Sequence, residues 1–350
     1  MVSKFNWHTL EGTKTALGAA LILLALSAGC AQPTEELTTV EVISVDPLPS
    51  WNEGQAKQSI LDFVARVSDP ASPDYVLEAE RIATFDNDGT LWAEQPLYFQ
   101  LLFSVDRVRS MAEEHPEWKS EQPFKAILGD DREALASMGH AELGQLLAAT
   151  HTGITAEEFS SIARGWLDDA RHPRFDRPFD TCIYQPMLEV LDYLRANGFT
   201  TFITSAGGIE FMRTFSEEAY GIPRHQVIGS SAETEFRVDG DQSFLMRLPK
   251  AAFVDDKSAK PVAINRHIGR RPIASFGNSD GDQQMLQYAT GGEGPGLAVL
   301  VHHDDAEREY AYDRGSKIGG LDKAWDEAEA RGWTVVSMRD DWTTIFPPAE

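Results

Sequence analysis

TFDNDGTLW, residues Thr84 to Trp92, decides the reading of this chain. A short apolar run, Ile82 to Phe85, ends in two aspartates, Asp86 and Asp88, with Gly89 and Thr90 directly behind. Like charges this close repel one another, so the pattern needs water or a counter-charge. A solvated turn and a calcium loop are the simplest explanations. A calcium loop of the EF-hand type starting at Asp86 needs glutamate at its twelfth position, where this chain has Leu97. A chemical explanation remains. An ionised carboxylate held in line can attack phosphorus. A hard, oxygen-seeking cation such as Mg²⁺ would offset the repulsion between carboxylate and phosphate. The second carboxyl group can hand a proton to the leaving group, the two acids titrating as a coupled pair. Gly89 lets the backbone turn sharply, and Thr90 adds a hydroxyl.

The surrounding sequence alternates strand and helix signals. Met187, Val190, Leu191 and Leu194 form the apolar stripe of a helix over 186–198, with Gly198 as its stop. FTTFIT (Phe199–Thr204), PIASF (Pro272–Phe276) and LAVLV (Leu297–Val301) read as further strands. The alternation predicts an α/β fold with a doubly wound, mostly parallel sheet and helices on both faces. Ligands in such folds bind beyond the carboxyl ends of the strands. Asp86, Ser205, Asn278 and His302 fall at or just past such ends. Residues 96–180 read instead as helices, one with a capping box from Thr155 to Glu158 and Phe159, Ile162 and Trp166 turned inward. This block reads as a helical cap inserted into a core formed by 51–95 and 181–350. Ile60, Phe63, Val64 and Val67 mark a helix near the start of the core. Glu233–Leu248 reads as a β-hairpin turning at Asp239-Gly240, and WTVVSM (Trp333–Met338) as an apolar stretch finishing the sheet.

The chain has 350 residues, 42% of them hydrophobic, and a formal net charge of −24. That balance leaves no basic footprint for nucleic acid. An anionic substrate would need a locally positive site against a negative background. Lys4 and Lys14 precede an apolar run, Ala16–Leu26, too short to span a bilayer comfortably and typical of a signal segment. The run ends in SAGC, and residues 1–30 resemble a bacterial lipoprotein signal whose cysteine, Cys30, carries the lipid. That resemblance implies export to the cell envelope and a lipid anchor facing the periplasm. Ala31 after the cysteine implies the outer membrane in a Gram-negative host. Residues 31–50 read as a polar tether. Of the two cysteines, Cys182 then stands alone in an apolar setting and reads as a buried small hydrophobe.

DNDGT resembles the first motif, DxDGT, of the haloacid dehalogenase-like superfamily, and the likeness continues in order along the chain. FITSAGG (Phe202–Gly208) is similar to the second motif in the phosphoserine-phosphatase-like branch, which implies a phosphate-binding role for Ser205 with Ala206 beside it. Lys260, in SAKPVAI, matches the third motif, a lysine that neutralises phosphate and nucleophile. Lys257 is its rival; Lys260 is preferred for its place before a helix start at Pro261. FGNSDGDQQML (Phe276–Leu286) resembles the fourth motif, with Asn278 in place of the first aspartate, Asp282 matching the second and Asp280 as an extra carboxylate. The resemblance covers roughly residues 80–305. It implies a Mg²⁺-dependent phosphatase in which Asp86 forms an aspartyl-phosphate and Asp88 acts as acid, then base. Thr90, Ser205 and Lys260 would bind phosphate, and Asp86, Asp88, Asn278 and Asp282 would hold the metal.

The residues after the first motif would help choose the substrate. Trp92, Glu94 and Tyr98 are near enough in sequence to line a pocket, and an acid beside aromatics suits an ammonium group. Phosphoserine or phosphorylcholine would fit that description. His302 and His303 end a strand near the expected site. Two other classes stay open at this level: a phosphotransferase passing the phosphoryl group to an alcohol, and a phosphate-ester-binding lipoprotein without turnover.

Overall fold

The computed structural model describes residues 46–348 apart from 132, 133, 136 and 137. Cys30, the signal segment and most of the 31–50 tether lie outside the described residues. Among the described residues no helix is long and apolar enough to cross a membrane.

Eight strands form one sheet: β1 (Ile82–Phe85), β2 (Thr200–Gly208), β3 (Val227–Asp239), β4 (Gln242–Phe253), β5 (Ala274–Gly277), β6 (Leu297–Asp304), β7 (Ala311–Tyr312) and β8 (Thr334–Ser337). The order is β4-β3-β2-β1-β5-β6-β7, with β8 also on β6. The pairs β3-β2, β2-β1, β1-β5, β5-β6 and β6-β8 are parallel, while β4 and β7 are antiparallel edges. Every residue of β1 and β5 is buried, as expected of central strands covered on both faces. Phe85 and Phe276 stack across that pair with ring centroids 4.4 Å apart. The Gln55–Ser68 helix buries Ile60, Phe63, Val64 and Val67, each worth about 1.5–3 kcal/mol if fully buried. Cys182 is fully buried and its thiol is pushed up to about 12 by burial.

Between β1 and β2 the chain forms helices Phe99–Met111, Phe124–Leu128, His140–His151 and Ala156–Asp169. The Thr155–Glu158 capping box closes with bonds of 2.8 and 3.0 Å. β3 runs past the sheet and folds back on β4, so the hairpin is longer than the sequence reading of 233–248. Its turn residues are Gly240 and Asp241, one place later than expected, because Asp239 pairs with Gln242 and Gly240 takes the positive φ, +58°. The hairpin is tied to the helical block at Arg247. The Gly153 amide donates to the Arg247 carbonyl at 2.9 Å and the Arg247 amide to the Ile154 carbonyl at 3.0 Å. The Arg247 Nε donates to the His151 carbonyl at 2.6 Å.

Candidate active site

The carboxyl ends of β1, β2 and β5 bring the motif residues together. Asp86 follows β1 and is held by its amide, which donates to the Phe276 carbonyl on β5 at 2.9 Å. Lys260, near the start of the Ala259–His267 helix, is fully buried and reaches three acceptors. Its Nζ lies 2.8 Å from Asp86 Oδ1, 2.5 Å from Asp282 Oδ1 and 3.0 Å from the Thr204 carbonyl. A buried ammonium placed between two carboxylates stays charged, and its acidity is pushed far below that of an ordinary lysine by Asp282 and Asp86 despite burial. Lys257 instead has its side chain 65% exposed.

Asp282 does more than face the lysine. Its Oδ2 accepts from the Asn278 amide at 3.0 Å, the Ser279 amide at 3.1 Å and the Ser279 hydroxyl at 3.2 Å. Both oxygens are thus engaged in tying Lys260 to the end of β5. Asp280 points elsewhere. Its Oδ1 accepts from the amides of Asp322 and Ala324, each at 2.9 Å, and steadies the start of the Lys323–Arg331 helix.

Asp88 is oriented by Trp92, whose indole Nε1 donates to Asp88 Oδ1 at 2.8 Å. Trp92 is fixed in turn by stacking on Phe215 at 4.4 Å. Asn87 turns the other way and accepts from the Tyr220 hydroxyl at 3.0 Å. Ser205 sits where the β2–β3 register breaks. A Cβ built on Gly207 would lie 3.4 Å from Ser205 Oγ and 3.6 Å from Asp88 Oδ2, so hydroxyl and carboxylate flank the same glycine. Ala206 beside it is exposed, and its carbonyl accepts from Ser230 Oγ at 2.8 Å.

Thr90, read as a phosphate contact, donates to Asn278 Oδ1 at 3.2 Å in this structure. Asn278 Nδ2 donates to Glu94 Oε1 at 2.7 Å, and the Tyr312 hydroxyl donates to the same oxygen at 2.8 Å. Glu94 is therefore buried beside the motif residues rather than displayed to a ligand. Burial, with Asp88 and Asp86 nearby, raises it well above the usual carboxylate range. His303 Nε2 meets the Gly89 carbonyl at 2.8 Å. A carbonyl can only accept, so Nε2 carries the hydrogen and His303 braces the turn. His302 faces away, edge-on to Trp325 at 4.3 Å.

Gly89 adopts φ +74°, and a Cβ there would fall 2.0 Å from Asn278 Nδ2 and 2.4 Å from Glu94 Oε1. Gly89→Ala should destabilise the fold by about 1–3 kcal/mol through strain at a left-handed position, and by more if Asn278 cannot give way. A lowered midpoint in urea denaturation checks this; an unchanged midpoint would mean the turn rearranges freely.

The electrostatics set the chemistry. Asp86 is raised to about 7, first by burial and then by Asp282, with Lys260 opposing. Asp88 is raised to about 6 by burial, with the Trp92 bond opposing. Two carboxyl groups poised near neutrality suit a nucleophile and a proton shuttle. Asp86, Asp88, Asp255 and Asp282 are four buried or nearly buried acids acting on the ammonium of Lys260, with Glu94 beside Asp86 and Asp88. A divalent cation with oxygen donors would offset that surplus. Among the described residues no cluster of three or more His, Cys, Asp or Glu side chains converges in ligating geometry. Of the expected metal ligands, Asp282 has both oxygens engaged, while the resemblance would leave the Asp86 carboxylate, the Asp88 carbonyl and the Asn278 amide oxygen, which also accepts from Thr90. These are hard oxygen donors of the kind Mg²⁺ takes, so the residues fit that ion by chemistry.

Sequence reasoning missed the Trp92–Asp88 bond, the Glu94–Tyr312 bond and the Gly89–His303 brace. The last two join residues over 200 positions apart, and no local pattern announces them. In sequence, Trp92 and Glu94 look like pocket lining.

A family model described as haloacid dehalogenase-like hydrolase matches residues 83–287. No curated protein matches the chain. Among solved structures, a conserved functionally unknown protein from Anaerococcus prevotii DSM 20548 is similar at 14% identity and TM-score 0.47, over 82% of this chain and 94% of that one. A protein with unknown function from Bordetella pertussis Tohama I is similar at 15% identity and TM-score 0.46, over 73% and 98%. A phosphoserine phosphohydrolase-like protein from Francisella tularensis is similar at 18% identity and TM-score 0.35, over 64% and 88%.

Proposed function

The chain belongs to the haloacid dehalogenase-like hydrolase family, and from that premise we propose that it is a Mg²⁺-dependent phosphomonoesterase working through an aspartyl-phosphate. The observation that carries this is Asp86 at the end of β1, 2.8 Å from the buried ammonium of Lys260, with Asp88 two residues on. In the first step an Asp86 carboxylate oxygen attacks phosphorus and the bond to the ester oxygen breaks. Asp88, protonated, gives its hydrogen to the departing alkoxide. Asp88, now ionised, takes a proton from water as the water oxygen attacks phosphorus, and the bond to Asp86 breaks to release inorganic phosphate. Lys260 and the Ser205 hydroxyl offset charge on the phosphoryl oxygens. Mg²⁺, held by Asp86, the Asp88 carbonyl and Asn278, would supply further charge neutralisation.

The helices from Phe99 to Asp169 are proposed as the cap, and the leader at 1–30 adds an envelope location with Cys30 as the lipid attachment. Phosphoserine and phosphorylcholine both need a partner for an ammonium group. Glu94, the residue read for that task, would have to leave Asn278 and Tyr312 to take one.

The direct test is phosphate release from an aryl phosphate, with Mg²⁺ and after chelation by EDTA. Release that stops on chelation and returns on adding Mg²⁺ is expected. Release indifferent to EDTA would refute the metal requirement. Product diverted to a glycerol ester when glycerol is added would favour phosphotransfer over hydrolysis.

A further inference from the structure

A cavity of about 430 Å³ opens beside the proposed phosphate site, between β2, the β3–β4 hairpin and the His140–His151 helix. Ala206 and Gly208 line it, on either side of the glycine that abuts Asp88 and Ser205. Its walls are largely aliphatic or aromatic, with Leu143 and Leu147 on the helix side and Leu248, Phe253 and Val254 on the hairpin side. Leu147 is 39% exposed and Val254 59% exposed, so apolar surface remains uncovered there.

The longer polar side chains in its wall, Gln100, His151, Arg247 and Lys250, face partners. Gln100 Oε1 accepts from the Gly208 amide at 2.7 Å, and Gln100 Nε2 meets His151 Nε2 at 3.1 Å. His151 Nδ1 lies 2.7 Å from the Thr150 hydroxyl, and burial holds the ring neutral, at about 3. The Arg247 guanidinium is 2.9 Å from Glu210 and lies over the Phe159 ring at 4.3 Å. Lys250, at the mouth, pairs with Glu233 at 2.5 Å. Among the described lining residues, then, the charged side chains are Arg247, which is buried against Glu210, and Lys250, which is 72% exposed at the mouth, so the interior of the cavity offers little to the carboxylate or ammonium of an amino-acid ester.

Resting on the phosphatase reading above, we infer that this cavity takes the leaving group and that the preferred substrates are phosphomonoesters of apolar alcohols, alkyl or aryl. The geometry puts the phosphoryl group on the Asp88 and Ser205 side of Gly207 and the hydrocarbon between Leu147 and Val254. Each methylene entering such a cavity improves transition-state binding about fourfold.

The experiment measures kcat/KM for n-alkyl phosphates from methyl to hexyl and for phosphoserine, using wild type, Leu147→Asp and Val254→Asp. Both substituted positions are partly exposed on opposite walls, and thermal melts check folding. Calorimetry in parallel measures binding of ethanol and hexanol to the same proteins. The expected result is a rise of about fourfold per methylene in wild type, a shallower rise in both variants, and hexyl phosphate cleaved at least tenfold better than phosphoserine. A flat series, or phosphoserine preferred, overturns the inference. If wild type cleaves no ester, the phosphatase reading fails by itself, and the alcohols decide the cavity. Hexanol binding that both variants weaken supports an alkyl site, and no hexanol binding overturns it.

Discussion

Asp86→Asn abolishes phosphate release, by about 10³-fold or more, while leaving a folded protein. Asparagine keeps the shape of the side chain and its place at the end of β1, but an amide oxygen is a poor nucleophile toward phosphorus. The fold should tolerate the change because the wild-type carboxylate is itself strained electrostatically. It is buried and faces Asp282, and its pKa is raised to about 7. Lys260 keeps Asp282 at 2.5 Å and the Thr204 carbonyl at 3.0 Å when Asp86 loses its charge. Stability within about 1–2 kcal/mol of wild type is expected from loss of one charge-assisted bond. The checks are a steady-state assay and a thermal melt on the same preparation. Turnover within tenfold of wild type would remove Asp86 from the nucleophile role.

Lys260→Met has the larger structural effect. Methionine matches the length of the stem but leaves Asp86 and Asp282 buried without their ammonium. Removing one partner of a buried ion pair typically costs about 3–5 kcal/mol. The deficit should depend on pH in a definite direction. An aspartate whose folded pKa lies above its unfolded value of 3.8 loses stability as pH rises from 3.8 toward the folded value. Without Lys260, which opposes the rise, the Asp86 value moves higher still and the sloping range widens upward. The variant should therefore be closest to wild type near pH 4 and furthest from it above pH 7. Denaturant titrations at both ends of that range measure the difference. A deficit independent of pH would mean the lysine acts through packing alone. Activity falls with it, since the counter-charge for the phosphoryl group is gone.

Much of this arrangement is legible in the chain. The central strand β1 is a four-residue apolar run ending in charge, and a buried parallel strand has that appearance. Lys260 is preferred over Lys257 for its place before Pro261; in the structure the helix begins two residues earlier, at Ala259, and carries Lys260 inward. The hairpin announces itself by its alternation, with the turn displaced by one residue. What is not legible depends on contacts distant in sequence. Asp280 looks like a ligand when its neighbours are Asp282 and Asn278, yet the backbone of 322–324 claims its oxygen. Glu94 looks like a pocket acid until Tyr312 comes across to it from 218 residues away. The cavity beside Gly207 is the extreme case, since its walls come from five separated segments with no shared pattern.

Arg247 fastens the hairpin to residues 151–154 by three hydrogen bonds, two of them main chain to main chain. This makes the enclosure a clasped purse rather than a swinging door. Releasing the helices from the hairpin would break all three contacts together, while Leu147 and Val254 line the cavity with exposed side chains. If the inferred leaving-group site holds, ester and alcohol would pass these side chains, and the girth of the alcohol would set the pace as much as its solubility in the lining does. Slender chains should exchange faster than branched ones of equal carbon count, even where both fit equally well once inside.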